Sequence, residues 1–324
     1  MIKLDRKNRK ILYELDVDSR QPFRNIAKKV GLSKDAVVYR INKLQEAGII
    51  KGFHTVIDNG KLGLIPFRLY LELQNTTPEL EREMIDFFKK QNEVIWLMSI
   101  DGEYSLGLAT YVKSIKEMNL FWKRLLGKYR NYIARRWLTI YTKVAYYPRA
   151  FFIGKKQNLD EYICFTEPDE VTVTGLETGI LKLLAQNARM PVIEIAEKLR
   201  ITPKTAAKKI RDMEKKKIIV GYRTLFDLEK LGYQYFKVHI SLKDMDEKKE
   251  KQIKSYLKQH PNVVYDNEIL GGFDLEIEIQ VPTLSDLRII LDEMKGRFSG
   301  IIKNYTYMLF YKEHKYVFFP LQNF

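Results

Sequence analysis

The chain has 324 residues, 45% hydrophobic and 12% aromatic, enough to bury more than one core, and its formal net charge of +15 favours an anionic partner, nucleic acid or an acidic membrane surface. A single cysteine, Cys164, excludes an intrachain disulfide framework and a Cys-cluster zinc site. No apolar run reaches the roughly 18 residues that span a bilayer, and MIKLDRKNRK carries no apolar signal core, so the expectation is a cytoplasmic protein with no membrane partner.

The first segment is helical. Ile11, Leu12 and Leu15 share one face, Asp18-Ser19 punctuates, and Pro22 opens a second helix where its missing N–H costs nothing. Ile26, Ala27 and Val30 form its apolar stripe. Gly31-Leu32-Ser33 breaks that helix: Gly31 suits a left-handed turn and Ser33 an N-cap. The next helix buries Val37, Ile41 and Leu44 at i, i+4, i+7 and ends at Ala47-Gly48. Helix, tight turn and helix describe a helix-turn-helix, whose second helix lies in the DNA major groove; the pattern alone also fits an ordinary helical hairpin. Its outward residues are Ser33, Lys34, Asp35, Val38, Tyr39 and Lys43, with Lys34, Arg40 and Lys43 able to reach phosphates. For Arg40 an intramolecular salt bridge is an equal alternative. Phe53 to Ile57 reads as a strand closing a small winged unit over residues 1–60.

Residues 61–150 read strand, helix, strand, strand, helix, strand, a ferredoxin-like βαββαβ unit with both helices on one sheet face. Pro66 to Leu73 alternates Phe67, Leu69, Leu71 and Leu73 with Arg68, Tyr70 and Glu72, the pattern of a half-buried strand. Residues 151–172 form a connector with Lys155-Lys156 and the acidic cluster Glu167, Asp169, Glu170; Ile163, Cys164 and Phe165 indicate that part of it packs.

The chain then repeats at an offset of 169 residues: Pro22 aligns with Pro191, Ile41 with Ile210, Gly52 with Gly221, Gly102 with Gly271 and Lys143 with Lys312. A register held without a gap over such a length is an internal duplication, giving a second winged helix-turn-helix at 173–229 and a second ferredoxin-like domain at 230–324. The fold class is therefore α+β. Residues 1–58 and 174–227 each carry +6, so most of the net charge sits in the two helix-turn-helix segments. In the second copy Thr202 caps, Pro203 opens the helix, and Lys204, Thr205, Lys208, Lys209 and Arg211 face outward. Arg200 and Lys217 replace the two glycines of the first copy. The two halves present different donors and are expected to read different half-sites, the second with weaker sequence preference.

The string GLSKDAVVYRINKLQEAGIIKGF resembles the recognition segment of the Lrp/AsnC transcription regulators. Gly31, Leu32, Ser33, Val37, Arg40, Ile41, Leu44, Gly48, Ile49, Ile50, Gly52 and Phe53 all fall on the family pattern, while Asn8 stands where the family usually has Asp. The resemblance implies a regulator that binds double-stranded DNA and pairs through its sheets into a dimer or higher homo-oligomer, which two copies in one chain could imitate. It also implies an amino-acid effector contacting the loop between the two central strands: Gly102 and Tyr104 in the first copy, Gly271, Gly272 and Asp274 in the second, where Asp274 holds the family's Asp position. Aromatics such as Tyr146, Tyr147, Phe318 and Phe319 fit a buried interface or a monomer core.

No enzyme constellation is visible. His54, His239, His260 and His314 are scattered, and no phosphate loop, dinucleotide motif or nucleophile elbow occurs, so no catalytic residue, metal or cofactor is expected. Two alternatives stand beside the regulator: an architectural protein that wraps DNA, and an enzyme like the siroheme decarboxylases, which share this two-domain architecture and for which Arg135-Arg136 beside Trp137 could imitate a tetrapyrrole site.

Overall fold

The computed structural model describes residues 4–156, 161–165, 171–244, 246–317 and 319; the acidic cluster of the connector and Phe318 lie outside them. The first copy runs α1 (Arg6–Val17), α2 (Phe23–Val30), α3 (Lys34–Glu46), β1 (Ile50–Ile57), β2 (Ile65–Leu73), α4 (Pro78–Lys90), β3 (Val94–Asp101), β4 (Leu106–Val112), α5 (Ile115–Tyr129) and β5 (Ile133–Tyr146). The connector contributes β6 (Tyr162–Phe165). The second copy follows with α6 (Gly175–Gln186), α7 (Val192–Leu199), α8 (Pro203–Lys215), β7 (Ile219–Phe226), α9 (Leu228–Leu231), β8 (Gln234–Leu242), α10 (Glu247–Gln259), β9 (Val263–Leu270), β10 (Leu275–Val281), α11 (Leu284–Arg297) and β11 (Ile302–Tyr316).

Local chemistry sets the helix ends. The Asp5 carboxylate accepts from Asn8 N (2.7 Å), Ser33 Oγ from Ala36 N (3.1 Å) and Thr202 Oγ1 from Thr205 N (3.1 Å). Gly31 (φ 66°) and Gly48 (φ 66°) flank α3 in the left-handed region; their counterparts Arg200 (φ 55°) and Lys217 (φ 57°) hold the same conformation with a side chain. The turn thus survives the loss of glycine, at a backbone cost of about 1–2 kcal/mol per residue.

The strand after each helix-turn-helix does not close a wing within its own unit. Instead β1 pairs antiparallel with β7 of the other copy, because a lone strand has no ladder of its own and the duplicate supplies it. His54 faces Arg223 at the centre of this ladder, and Gly52↔Leu225 and Val56↔Gly221 are equivalent under the offset of 169, so a pseudo-twofold axis passes between His54 and Arg223. Arg20 and Arg189, also equivalent, reach across it: Arg20 Nη1 donates to Ala188 O and Met190 O (3.0 Å), and Arg189 Nη1 to Ser19 O and Gln21 O (3.2 Å). The two units share one apolar core that includes Ile26, Val37 and Ile41 with Ile195, Ala206 and Ile210.

The ferredoxin-like units fuse in the same way. Their strands run β2-β4-β3-β11-β8-β10-β9-β5, and β5 returns to β2, so the sheet closes into a barrel with β6 on the outside edge of β5. The junctions obey the pseudo-twofold axis: Ile140 pairs with Leu270 where Leu309 pairs with Asp101. Helices α4 and α5 cover one half of the outer wall, α10 and α11 the other. Closure corrects the half-buried reading of β2: Arg68 and Tyr70, from the second set of its alternation, point into the barrel and are 7% and 0% exposed.

Candidate functional site

On the first recognition helix and its cap the exposed side chains are Ser33, Lys34, Asp35, Tyr39, Asn42, Lys43, Gln45 and Glu46, with Val38 half-buried. Tyr39 is 64% exposed, an unusual place for a large ring. Lys43 pairs with Glu46 at 2.6 Å on the surface. Of the two readings of Arg40 the structure shows the intramolecular one, not the phosphate contact: it turns inward, donating to Asp5 Oδ2 and Asn8 Oδ1, both at 2.8 Å, and this clamp removes it from the set that reaches phosphate. On α8, Thr202, Lys204, Lys208 and Arg211 are exposed, whereas Thr205 is half-buried with its Oγ1 2.9 Å from Thr202 Oγ1. Lys209, expected to face outward, instead pairs with the buried Glu177 at 3.2 Å. On α8 the outer face is therefore cationic, as phosphate contact requires, whereas on α3 Lys34 and Lys43 stand beside the exposed carboxylates of Asp35 and Glu46.

The loops that the family resemblance points to, between β3 and β4 and between β9 and β10, lie at the barrel end opposite the β1–β7 ladder. Gly102 packs on Met308, and a Cβ there would sit 3.1 Å from Met308 Cβ. Gly272 (φ 91°) lies directly on the Trp137 indole, leaving no room for a side chain, while Gly271 remains open. Tyr104 stacks towards Tyr70 (5.5 Å) and Trp137 (6.3 Å), and Phe273 lies parallel to His239 at 4.8 Å. The Asp274 carboxylate accepts from Leu242 N at 2.6 Å, so in this arrangement it fastens the loop to β8.

The barrel interior holds a cluster that the sequence reading missed. Lys237, 0% exposed, ion-pairs with Glu276 (2.8 Å) and Glu278 (3.0 Å); His239 contacts Glu276 (2.9 Å), Tyr70 donates to Glu276 (3.0 Å), and Tyr235 donates to Glu278. Arg68 lies 3.6 Å from Glu278, donates to Tyr141 (2.8 Å) and stacks over Trp96. Burial alone would raise the Glu276 carboxyl, but Lys237 and His239 outweigh it and hold it well below the carboxylate range. Burial also works against charge on Lys237, yet Glu276 and Glu278 raise its pKa. The available signal was alternation: FKVHI and LEIEIQ place Lys237, His239, Glu276 and Glu278 on one face, which an open sheet would wet and a barrel buries.

Between the barrel mouth and the β1–β7 ladder lies a cavity of about 660 Å³, lined by His54 and Arg223 from the ladder and by Arg68, Tyr141, Asn267 and Glu278 from the barrel. Beside it Arg149 ion-pairs with Asp16 at 2.7 Å and Arg223 donates to Tyr265 Oη at 2.9 Å. Burial, then the Arg223 and Arg149 charges, drive the His54 pKa well below its usual value, so His54 is neutral. Cys164, also on the cavity wall, has its thiol pushed up to about 12 by burial and is no nucleophile. Arg135 pairs with Glu72 and with Glu103 (2.9 Å) on the outside, and Arg136 lies over the Trp122 ring; neither joins Trp137 in the barrel. Among the described residues no group of three His, Cys, Asp or Glu could hold a metal ion, and no helix is long and apolar enough to cross a membrane.

Comparison with known proteins matches the AsnC-type helix-turn-helix domain to residues 4–45 and a winged helix-turn-helix DNA-binding family to residues 175–220. The HTH-type transcriptional regulator Ptr1 of Methanocaldococcus jannaschii is 32% identical over 121 residues, 36% of this chain and 78% of that protein. The proline dehydrogenase transcriptional activator of Rhodobacter capsulatus is 29% identical over 137 residues, 42% of this chain and 89% of that protein. Each of these relatives matches less than half of this chain. The crystal structure of the siroheme decarboxylase NirDL superposes with a TM-score of 0.62 over 97% of this chain and 93% of that one at 14% identity, a likeness of fold across the whole duplicated arrangement.

Proposed function

This chain belongs to the Lrp/AsnC family of helix-turn-helix regulators, and from that premise we propose that it is a transcription regulator that reads double-stranded DNA with two unlike recognition helices held in one polypeptide. The observation that carries the reading is the shared core beneath α3 and α8, which leaves the polar outer face of each helix free while β1–β7 fixes their separation. Lys34, Asp35, Tyr39 and Lys43 are the bases-and-backbone set of the first helix, and Lys204, Lys208 and Arg211 a mainly phosphate set on the second. The protein acts in the cytoplasm, where its DNA is.

Selection of duplexes from a random pool at near-physiological salt tests this. Enrichment of a defined motif is expected, and Lys34→Ala should weaken binding and reduce the salt slope by about one unit. Salt-sensitive binding with no motif would instead mean an architectural role. The finer reading, that an amino acid tunes binding through the Gly271–Asp274 loop, predicts that Asp274→Ala loses an amino-acid response and keeps DNA binding; calorimetry that finds no amino-acid ligand for the unaltered protein sinks it. The likeness to a siroheme decarboxylase is one of fold; the Arg135, Arg136 and Trp137 grouping does not assemble, since Arg135 pairs with Glu103 and Arg136 lies over Trp122.

A further inference from the structure

The cavity between ladder and barrel has the size of a small-molecule site, and its buried charges do not balance. Three of the buried cations around it have a carboxylate within 4 Å: Arg68 with Glu278 (3.6 Å), Lys237 with Glu276 (2.8 Å) and Arg149 with Asp16 (2.7 Å). Arg223, 3% exposed, has none among the described residues; its neighbours are Tyr265 Oη and the Tyr146 ring, and the Asp16 carboxylate that acts on it from farther away is already paired with Arg149. Its Nε, the Nη1 of Arg68 and the Oδ1 of Asn267 are buried without a hydrogen-bond partner. A guanidinium does not shed its proton, so a buried one without a counter-charge is costly unless an anion meets it.

Duplication sharpens the point. Under the offset of 169 the partners of Arg223, Asn267 and Glu278 are His54, Met98 and Ala109. Packing was thus satisfied at these positions by a neutral ring, a thioether and a methyl group in one copy, and the other copy carries polar groups at the same places. The wall also carries the aromatic rings of Trp96, Tyr111, Tyr141, Tyr265 and Phe310, beside Lys51, Asp227, Glu229, Lys312 and Glu313.

We propose that this cavity binds one small organic anion per chain, an acidic group on a planar apolar body, with the acid held by Arg223 and Arg68 and the body against the aromatic wall. The site is separate from the loops around Gly102 and Gly272, and it touches both the ladder that joins the DNA-binding units and the barrel.

The test uses two dyes on the full chain: 1-anilinonaphthalene-8-sulfonate, a planar anion, and N-phenyl-1-naphthylamine, its neutral relative. The sulfonate should bind one to one with enhanced fluorescence. Arg223→Gln should weaken it by about tenfold or more while leaving the neutral dye within about twofold, and Arg223→Lys should restore most of the difference. Ala109→Phe, which fills the cavity, should abolish both. The proposal is overturned by sulfonate affinity unchanged in Arg223→Gln, by equal losses of both dyes in the Gln and Lys variants, by binding that survives Ala109→Phe, or by no one-to-one binding at all.

Discussion

Lys237 shows what burial demands of a single residue. Its ammonium is fully enclosed, and only Glu276, Glu278 and the Tyr141 hydroxyl (3.2 Å) compensate the loss of water. Lys237→Met leaves two carboxylates under-compensated in the barrel and should cost about 3–5 kcal/mol in urea unfolding. Arg82→Ala, which breaks the solvent-exposed pair with Glu79, should leave the midpoint unchanged. Equal effects would mean that the barrel interior is wet. The histidines give a pH signature. Burial lowers the pKa of His54, His239, His260 and His314 below the ordinary value of 6.5. The unfolded chain therefore takes up protons near pH 6.5 that the folded chain refuses, so stability is full above that pH and falls as pH drops towards 5.5. The slope is at most about 1.4 kcal/mol per pH unit for each histidine. His54→Asn should flatten that slope, as thermal melts between pH 5.5 and 7.5 would show. Little of this was legible in the sequence. The alternation that sets Lys237 and His239 on one face of β8, and Glu276 and Glu278 on one face of β10, was plain, but which face a closed barrel encloses depends on strands far away in sequence. For Arg40 the sequence left phosphate contact and salt bridge open for a related reason, since its partner Asp5 caps α1, two helices earlier.

At the level of elements, the helix-turn-helix was readable because caps and stripes are local, as Ser33, Thr202 and the Val37, Ile41, Leu44 series illustrate. The strand after it was readable as a strand but not by partner. Strand β6, from the single connector, breaks the symmetry of the β1–β7 ladder, and two equivalent glycines register this. A Cβ on Gly52 meets nothing within 4 Å, whereas one on Gly221 would lie 2.7 Å from the Tyr162 ring, whose hydroxyl donates to Val17 O. Gly221→Val must push Tyr162 aside and should destabilise by about 1–3 kcal/mol. Gly52→Val should be neutral or mildly stabilising, since a β-branched residue suits a strand. Matching melting temperatures for the two variants would show that Tyr162 does not pack there.

The duplication, visible as a constant offset, becomes at the scale of the molecule a dimer written into one chain. Two recognition helices that would belong to two subunits are joined by a common core, by the β1–β7 ladder and by the reciprocal Arg20 and Arg189 contacts. Their separation is therefore fixed and does not depend on protein concentration. Helix-turn-helix pairs of this kind meet half-sites one helical turn, about 10–10.5 base pairs, or a multiple of it apart. Because α3 presents Ser33-Lys34-Asp35 and α8 presents Thr202-Pro203-Lys204, the selected site should be two unlike half-sites rather than a palindrome. Inserting five base pairs between them turns one half-site to the far side of the duplex. The second helix then loses its intramolecular advantage, and affinity should fall by at least about tenfold, while inserting ten should recover most of it. This is measurable by gel shift on three duplexes. Equal affinity for all three would mean that one helix reads alone and that the second copy supplies charge and core without recognition.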